Sequence, residues 1–161
     1  MSVAAMTNEL LLFPNAKHLQ RAFRGDVVTS PLTCLTDTAA AMIPVHHQRR
    51  EALRRLNVPD AMSIIALRQA VKDFTTAEGQ LMGLATAIDQ NVVEVLRNRR
   101  HVAGVWHTET VGLVVSRLAE LWLNYLDSQT HEDAFRVARI SDAYNCLVAE
   151  LTTGRRLPPD M

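Results

Sequence analysis

Lysine is nearly missing from this chain. Of seventeen basic residues only Lys17 and Lys72 are lysine, and the rest are arginine. Arginine carries a planar fork of donors that suits phosphates and carboxylates, so the bias fits polyanion or interface contacts as well as an arginine-rich codon usage. Aromatic residues are also scarce, at 5% of the chain, which leaves few rings for stacking on bases. Formal net charge is zero, which removes the simplest signature of a nucleic-acid-binding domain but leaves room for a segregated basic face. Cysteine occurs twice, as Cys34 and Cys146, far apart and each inside an apolar helical pattern. No close-spaced metal pair exists, and two buried free thiols are expected. No apolar run is long enough to span a bilayer: the most apolar stretch, "VGLVVSRLAELWLNYL", contains Ser116, Arg117 and Glu120. The start, "MSVAAMTNELLLFPNAKHLQ", lacks the basic opening and long apolar middle of a secretory signal. The expectation is a soluble protein, not secreted and without a membrane partner.

What is present is helical periodicity. The 161 residues are 48% hydrophobic, enough for one core. Pro14 and Asn15 can open a short helix ending near Gly25, and Ser30-Pro31 starts a second that Pro44 breaks or kinks. "VHHQRREALRRL" follows, with Leu53 and Leu56 inward and arginines outward. Asp60 is an expected N-cap. Thr75 and Glu78 have capping-box spacing for a helix whose stripe runs Leu81, Leu84, Ala85, Ile88, Val92, Val95 and Leu96. Two further stripes, Val111 to Tyr125 and Val137 to Leu151, predict the last two helices. The second of these has a capping box at Thr130 and Asp133 and a C-cap at Gly154. The pattern predicts an all-α fold, an antiparallel bundle of about six helices in a single domain. Residues 1–14 read as an N-terminal arm, 15–153 as the helical core and 154–161 as a tail.

Motifs for catalysis are few. The chain has no Gly-rich phosphate loop, nucleophile elbow or metalloprotease helix. His46 and His47 are adjacent and so point to different sides of a helix, while His101 and His107 flank a turn. Surface or capping roles are expected for them, with no metal and no cofactor. Glu51 with Arg55, and Glu132 with Arg136, have the spacing of solvated helix pairs. The informative residues are arginines in two groups: Arg49, Arg50, Arg54 and Arg55 on one helix, and Arg97, Arg99 and Arg100 at the end of another. The first group reads as a solvated face and the second as cations complementing a helix dipole. Both are also candidates for sequence-indifferent phosphate contacts that weaken as salt rises.

The order of features resembles the coat proteins of rod-shaped plant RNA viruses of the tobacco mosaic type. "SPLTCLTDTAAAM" followed by "HHQRREALRRL" is similar to their first helix pair. "AIDQNVVEVLRNRR" resembles the end of their third helix, and "EDAFRVARISDAYNCLVAELTTG" their fourth. The resemblance implies a non-enzymatic, self-assembling structural protein in a virion or the cytoplasm, with copies of itself and single-stranded RNA as partners. Arg97, Arg99 and Arg100 would be the RNA-facing residues. The chain departs from that family in the helix between Ala103 and Asp127, and in lacking its aromatic C-terminal extension. "RRHVAGVWHTETVGLVV" through "EDAFRVARISDAYNCLVAEL" also resembles the last helices of globins, which would make His101 a haem ligand. There the spacing from His101 to the Gly104-Val105 step is one residue short. A helical protein-binding adaptor is the third reading.

Overall fold

The computed structural model describes residues 12–58, 63–102 and 105–159. Five helices account for nearly all of its regular structure: α1 (Ala16–Phe23), α2 (Thr33–Leu56), α3 (Ile64–Leu96), α4 (Val111–Ser128) and α5 (His131–Thr152). The expectation of about six is corrected to five among the described residues, because two breaks expected from sequence do not occur. α2 continues unbroken past Pro44. A proline inside a helix costs about 3 kcal/mol, but this one lies on the exposed side while Ala39, Met42 and His46 around it are locked into the core. Tertiary burial outweighs the local penalty. The second missing break is at Thr75. Its hydroxyl donates to the carbonyl of Val71 within one continuous helix, so Thr75 caps nothing. The cap expected at Asp60 lies outside the described residues, and Ser63 caps α3 instead, its side chain accepting from the amide of Ala66.

Other termini follow their sequence signals. Asn15 and His18 form a reciprocal capping box on α1. Thr130 accepts from the amide of Asp133 at the start of α5. α5 ends in a Schellman arrangement: Gly154 takes a left-handed φ of 70°, its amide bonds to Leu151, and the Arg155 amide bonds to Glu150.

Side-chain pairs give the directions. Arg55 of α2 meets Asp73 of α3 while Arg49 meets Glu78, so those helices run antiparallel. Arg49 also meets Glu120, and Arg50 meets Asp127, so α4 runs parallel to α2 and antiparallel to α3. α5 follows α4 after two residues and returns along it. α1 lies across α2, α4 and α5, fixed by Asn145 accepting from the amide of Ala16 and by Gln20 donating to Ser141.

The core takes the expected stripes. Leu118 and Tyr144 are fully buried, and Trp122 and Leu147 nearly so. Tyr144 satisfies its hydroxyl on the carbonyl of Pro14, and burial pushes its pKa well above the usual tyrosine value. Phe13, from the segment expected to be an arm, is buried against this core. α3 and α4 cross closely at Gly112, where a Cβ would stand 2.2 Å from the carbonyl oxygen of Ala85. The Gly112 amide donates to Asp89 of α3, which thereby caps α4 from a neighbouring helix. The cysteine expectation is corrected: Cys34 and Cys146 are both exposed. Each lies on the outer side of its helix, Cys34 beside buried Leu35 and Cys146 two residues past Tyr144.

Candidate nucleic-acid interface

The two arginine groups meet different surroundings. On α2, Arg49 bridges Glu78 of α3 and Glu120 of α4, the latter at 3.0 Å, and its guanidinium also lies over the ring of Phe74. Arg50 pairs with Asp127, which Arg54 also approaches, and Arg55 pairs with Asp73 at 2.8 Å. Arg49 and Arg50 are half-buried, so the expected solvated face is corrected: most of this group is cross-linking between helices. Glu51 pairs with Arg54, not with Arg55. As phosphate ligands, Arg49 and Arg50 would first have to give up their carboxylates, while Arg54 remains mostly exposed at the edge.

The other group lies at the opposite end of α3. The helix stops at Leu96, so Arg97 and Arg100 do not share a helical face as a longer helix would have arranged. α3 and α5 run the same way, and their C-terminal ends meet here. Arg99 donates to the carbonyl of Thr152 at 3.0 Å, placing a cation on the negative end of α5. The tail then folds back onto the loop after α3. The Val102 amide bonds to Gly154, the Leu157 amide to Val105 and the His107 amide to Leu157, each at 2.9 Å, with Trp106 bridged to Leu157. A Cβ on Gly154 would stand 2.6 Å from the carbonyl oxygen of Arg100.

This pairing adds Arg155 and Arg156 to Arg97, Arg99 and Arg100 at one end of the bundle. Both belong to the segment 154–161, expected from sequence to be a separate tail. Glu94 pairs with Arg97 and Glu150 with Arg156, while Arg100 and Arg155 form no ion pair among the described residues. Arg97, Arg99, Arg100 and Arg155 are all exposed. The result is a basic edge on a protein of zero net charge. The "RR" pair after Gly154 was the available signal, but only the tail's return makes it part of the site.

The histidines divide. His47 is exposed, as expected of a surface residue, and His18, not singled out from sequence, caps α1. His46 is a correction, buried with its Nε2 3.1 Å from the hydroxyl of Ser116. Burial lowers its pKa, with Glu120 opposing that shift and Arg49 adding to it. The contact pairs a hydroxyl with a base, but His46 Nδ1 has no hydrogen-bond partner among the described residues, so no carboxylate there orients the ring. Ser116 sits inside α4, where backbone amides are spent on the helix and cannot stabilise an oxyanion. The contact joins α2 to α4. Both ring nitrogens of His101 are shut off from solvent and have no hydrogen-bond partner among the described residues. Among the described residues no group of three metal-ligating side chains converges, and no helix is long and apolar enough to cross a membrane.

No family model, curated protein or solved structure matches this chain.

Proposed function

We propose that this is a non-enzymatic, self-assembling protein that holds single-stranded RNA by arginine–phosphate contacts at the basic edge, in the manner of a viral coat. The observation that carries the reading is the convergence of Arg97, Arg99 and Arg100 with Arg155 and Arg156, folded together by the loop–tail pairing. Three of the five, Arg99, Arg100 and Arg155, have no carboxylate partner among the described residues, so a phosphate can be bound there without first breaking an ion pair. A few phosphate contacts per subunit bind weakly alone and tightly when many copies share one strand. Zero net charge with segregated arginines lets copies pack without strong mutual repulsion. Exposed apolar side chains in the N-terminal part of α3, among them Ile64, Ile65 and Val71, offer surface for such packing.

The test is RNA content and particle formation of the wild type and of Arg97→Gln/Arg99→Gln/Arg100→Gln across a salt series. Loss of three phosphate contacts should reduce the log–log salt slope by about 2, with filaments or rods in negative stain only for the wild type. A variant that keeps its RNA and its slope overturns the reading. In that case the exposed apolar surface on α3 favours the adaptor alternative.

A further inference from the structure

The same loop–tail pairing that gathers the arginines also displays an aromatic ring. Of the two tryptophans, Trp122 is buried at 4% exposure beneath the guanidinium of Arg24, 5.0 Å from the ring centroid, whereas Trp106 is 51% exposed. Val102 and Val105 beside it are exposed as well. A large apolar ring left in water is unfavourable, and here the backbone that carries it is pinned. The backbone of Trp106 is bridged to Leu157, and amides on either side lock the two segments together. Arg155 is two residues from Leu157, at most about 7 Å of chain, and Arg100 is packed against Gly154 at the start of the same tail. An exposed ring on a pinned backbone, near cations that form no ion pair among the described residues, is the combination that binds unpaired bases, the cations tracking the phosphates and the ring accepting a base face.

We propose that Trp106 is a stacking platform for the bases of a single-stranded nucleic acid whose phosphates lie on Arg100, Arg155 and their neighbours. This rests on the nucleic-acid reading above and deepens it: the site takes strands with accessible bases, in preference to polyanions at large. Any base can stack, so the contact tolerates all sequences while discriminating single strands from duplexes, whose bases are already stacked.

The test uses tryptophan emission, in which only Trp106 is open to a ligand. The probes are single-stranded oligouridylate, single-stranded oligothymidylate, a duplex RNA of equal length and linear inorganic polyphosphate, all at low salt. Both single strands should quench the emission; duplex and polyphosphate should bind without quenching. Trp106→Ala should weaken single-strand binding about 5- to 100-fold with an unchanged salt slope, and Trp106→Phe should restore most of the loss. Far-UV circular dichroism should be unaltered, because Trp106 lies outside the five helices and is not part of the buried core. Equal affinity of wild type and Trp106→Ala for the single strands, or quenching by polyphosphate, overturns the stacking role while leaving the arginine reading standing. If none of the four probes binds, the nucleic-acid reading itself fails. If Trp106→Ala alters only the sedimentation behaviour, the ring is a subunit contact, and the proposal is overturned in favour of that.

Discussion

Two arginine-rich segments of similar density end in opposite electrostatic states. Along α2, Arg49, Arg50 and Arg55 each find a carboxylate on a facing helix. Past the end of α3, Arg100 and Arg155 find none among the described residues, and Arg99 is held by a backbone carbonyl. What separates them is the company each keeps. α2 is flanked by two helices that carry acids at matching heights, while among the described residues the end of α3 meets another helix terminus and the segment that carries Arg155 and Arg156. The first group is spent on cohesion, whereas the second leaves its donors exposed.

The contrast can be broken most severely through the frame that holds both groups. Gly112→Ala drives a Cβ into the Ala85 carbonyl and should cost about 3 kcal/mol, read as a fall in unfolding midpoint in a urea titration. Disorder should spread to both arginine groups. A sharper test compares the groups directly. Arg49→Gln should cost about 1–2 kcal/mol, since it strands Glu78 and Glu120 together. Arg100→Gln should leave stability within about 0.5 kcal/mol while weakening RNA retention. A larger stability loss at Arg100 than at Arg49 would reverse the assignment.

A smaller effect lies in pH. His46 stands between Arg49 on its own helix, Glu78 on α3 and Glu120 on α4, and its folded pKa lies below the ordinary 6.5, chiefly through burial. The unfolded chain therefore binds the proton more readily, so stability rises with pH. This contribution is fully present above pH 6.5 and is lost as pH falls toward the folded value. Melting temperatures between pH 7.5 and 5.5 should fall more steeply for the wild type than for His46→Gln. The smallest effect is a gain: Gly83→Ala on α3 has open space for its methyl and should stabilise by about 0.5–1 kcal/mol.

Much of the fold was legible. The stripes through Leu81–Leu96, Val111–Trp122 and Val137–Leu151 became the core because wide apolar faces have one way to leave water. Local signals that competed with tertiary packing were misleading. Thr75 and Glu78 have capping-box spacing, yet Glu78 serves as the counter-charge of Arg49 and Thr75 bonds back into its own helix. The candidate site was legible by half. Arg97, Arg99 and Arg100 stand out in any reading, but Arg155, Arg156 and Trp106 join them only through the backbone pairing of the tail, which leaves no mark in composition or period.

The uneven embedding of α3 has a dynamic consequence. From Ile64 to Gln80 only Ala70 and Ala77 are buried, whereas Leu81, Ala85, Ile88, Val92 and Leu96 are all buried beyond that point. One continuous helix of about 50 Å therefore spans two stability regimes. Amide hydrogen exchange should be graded along it, fast near Ile64 and approaching the global unfolding limit near Ile88. Fraying would then start at the apolar end and halt before the arginines, leaving the basic edge on the most persistent part of the rod.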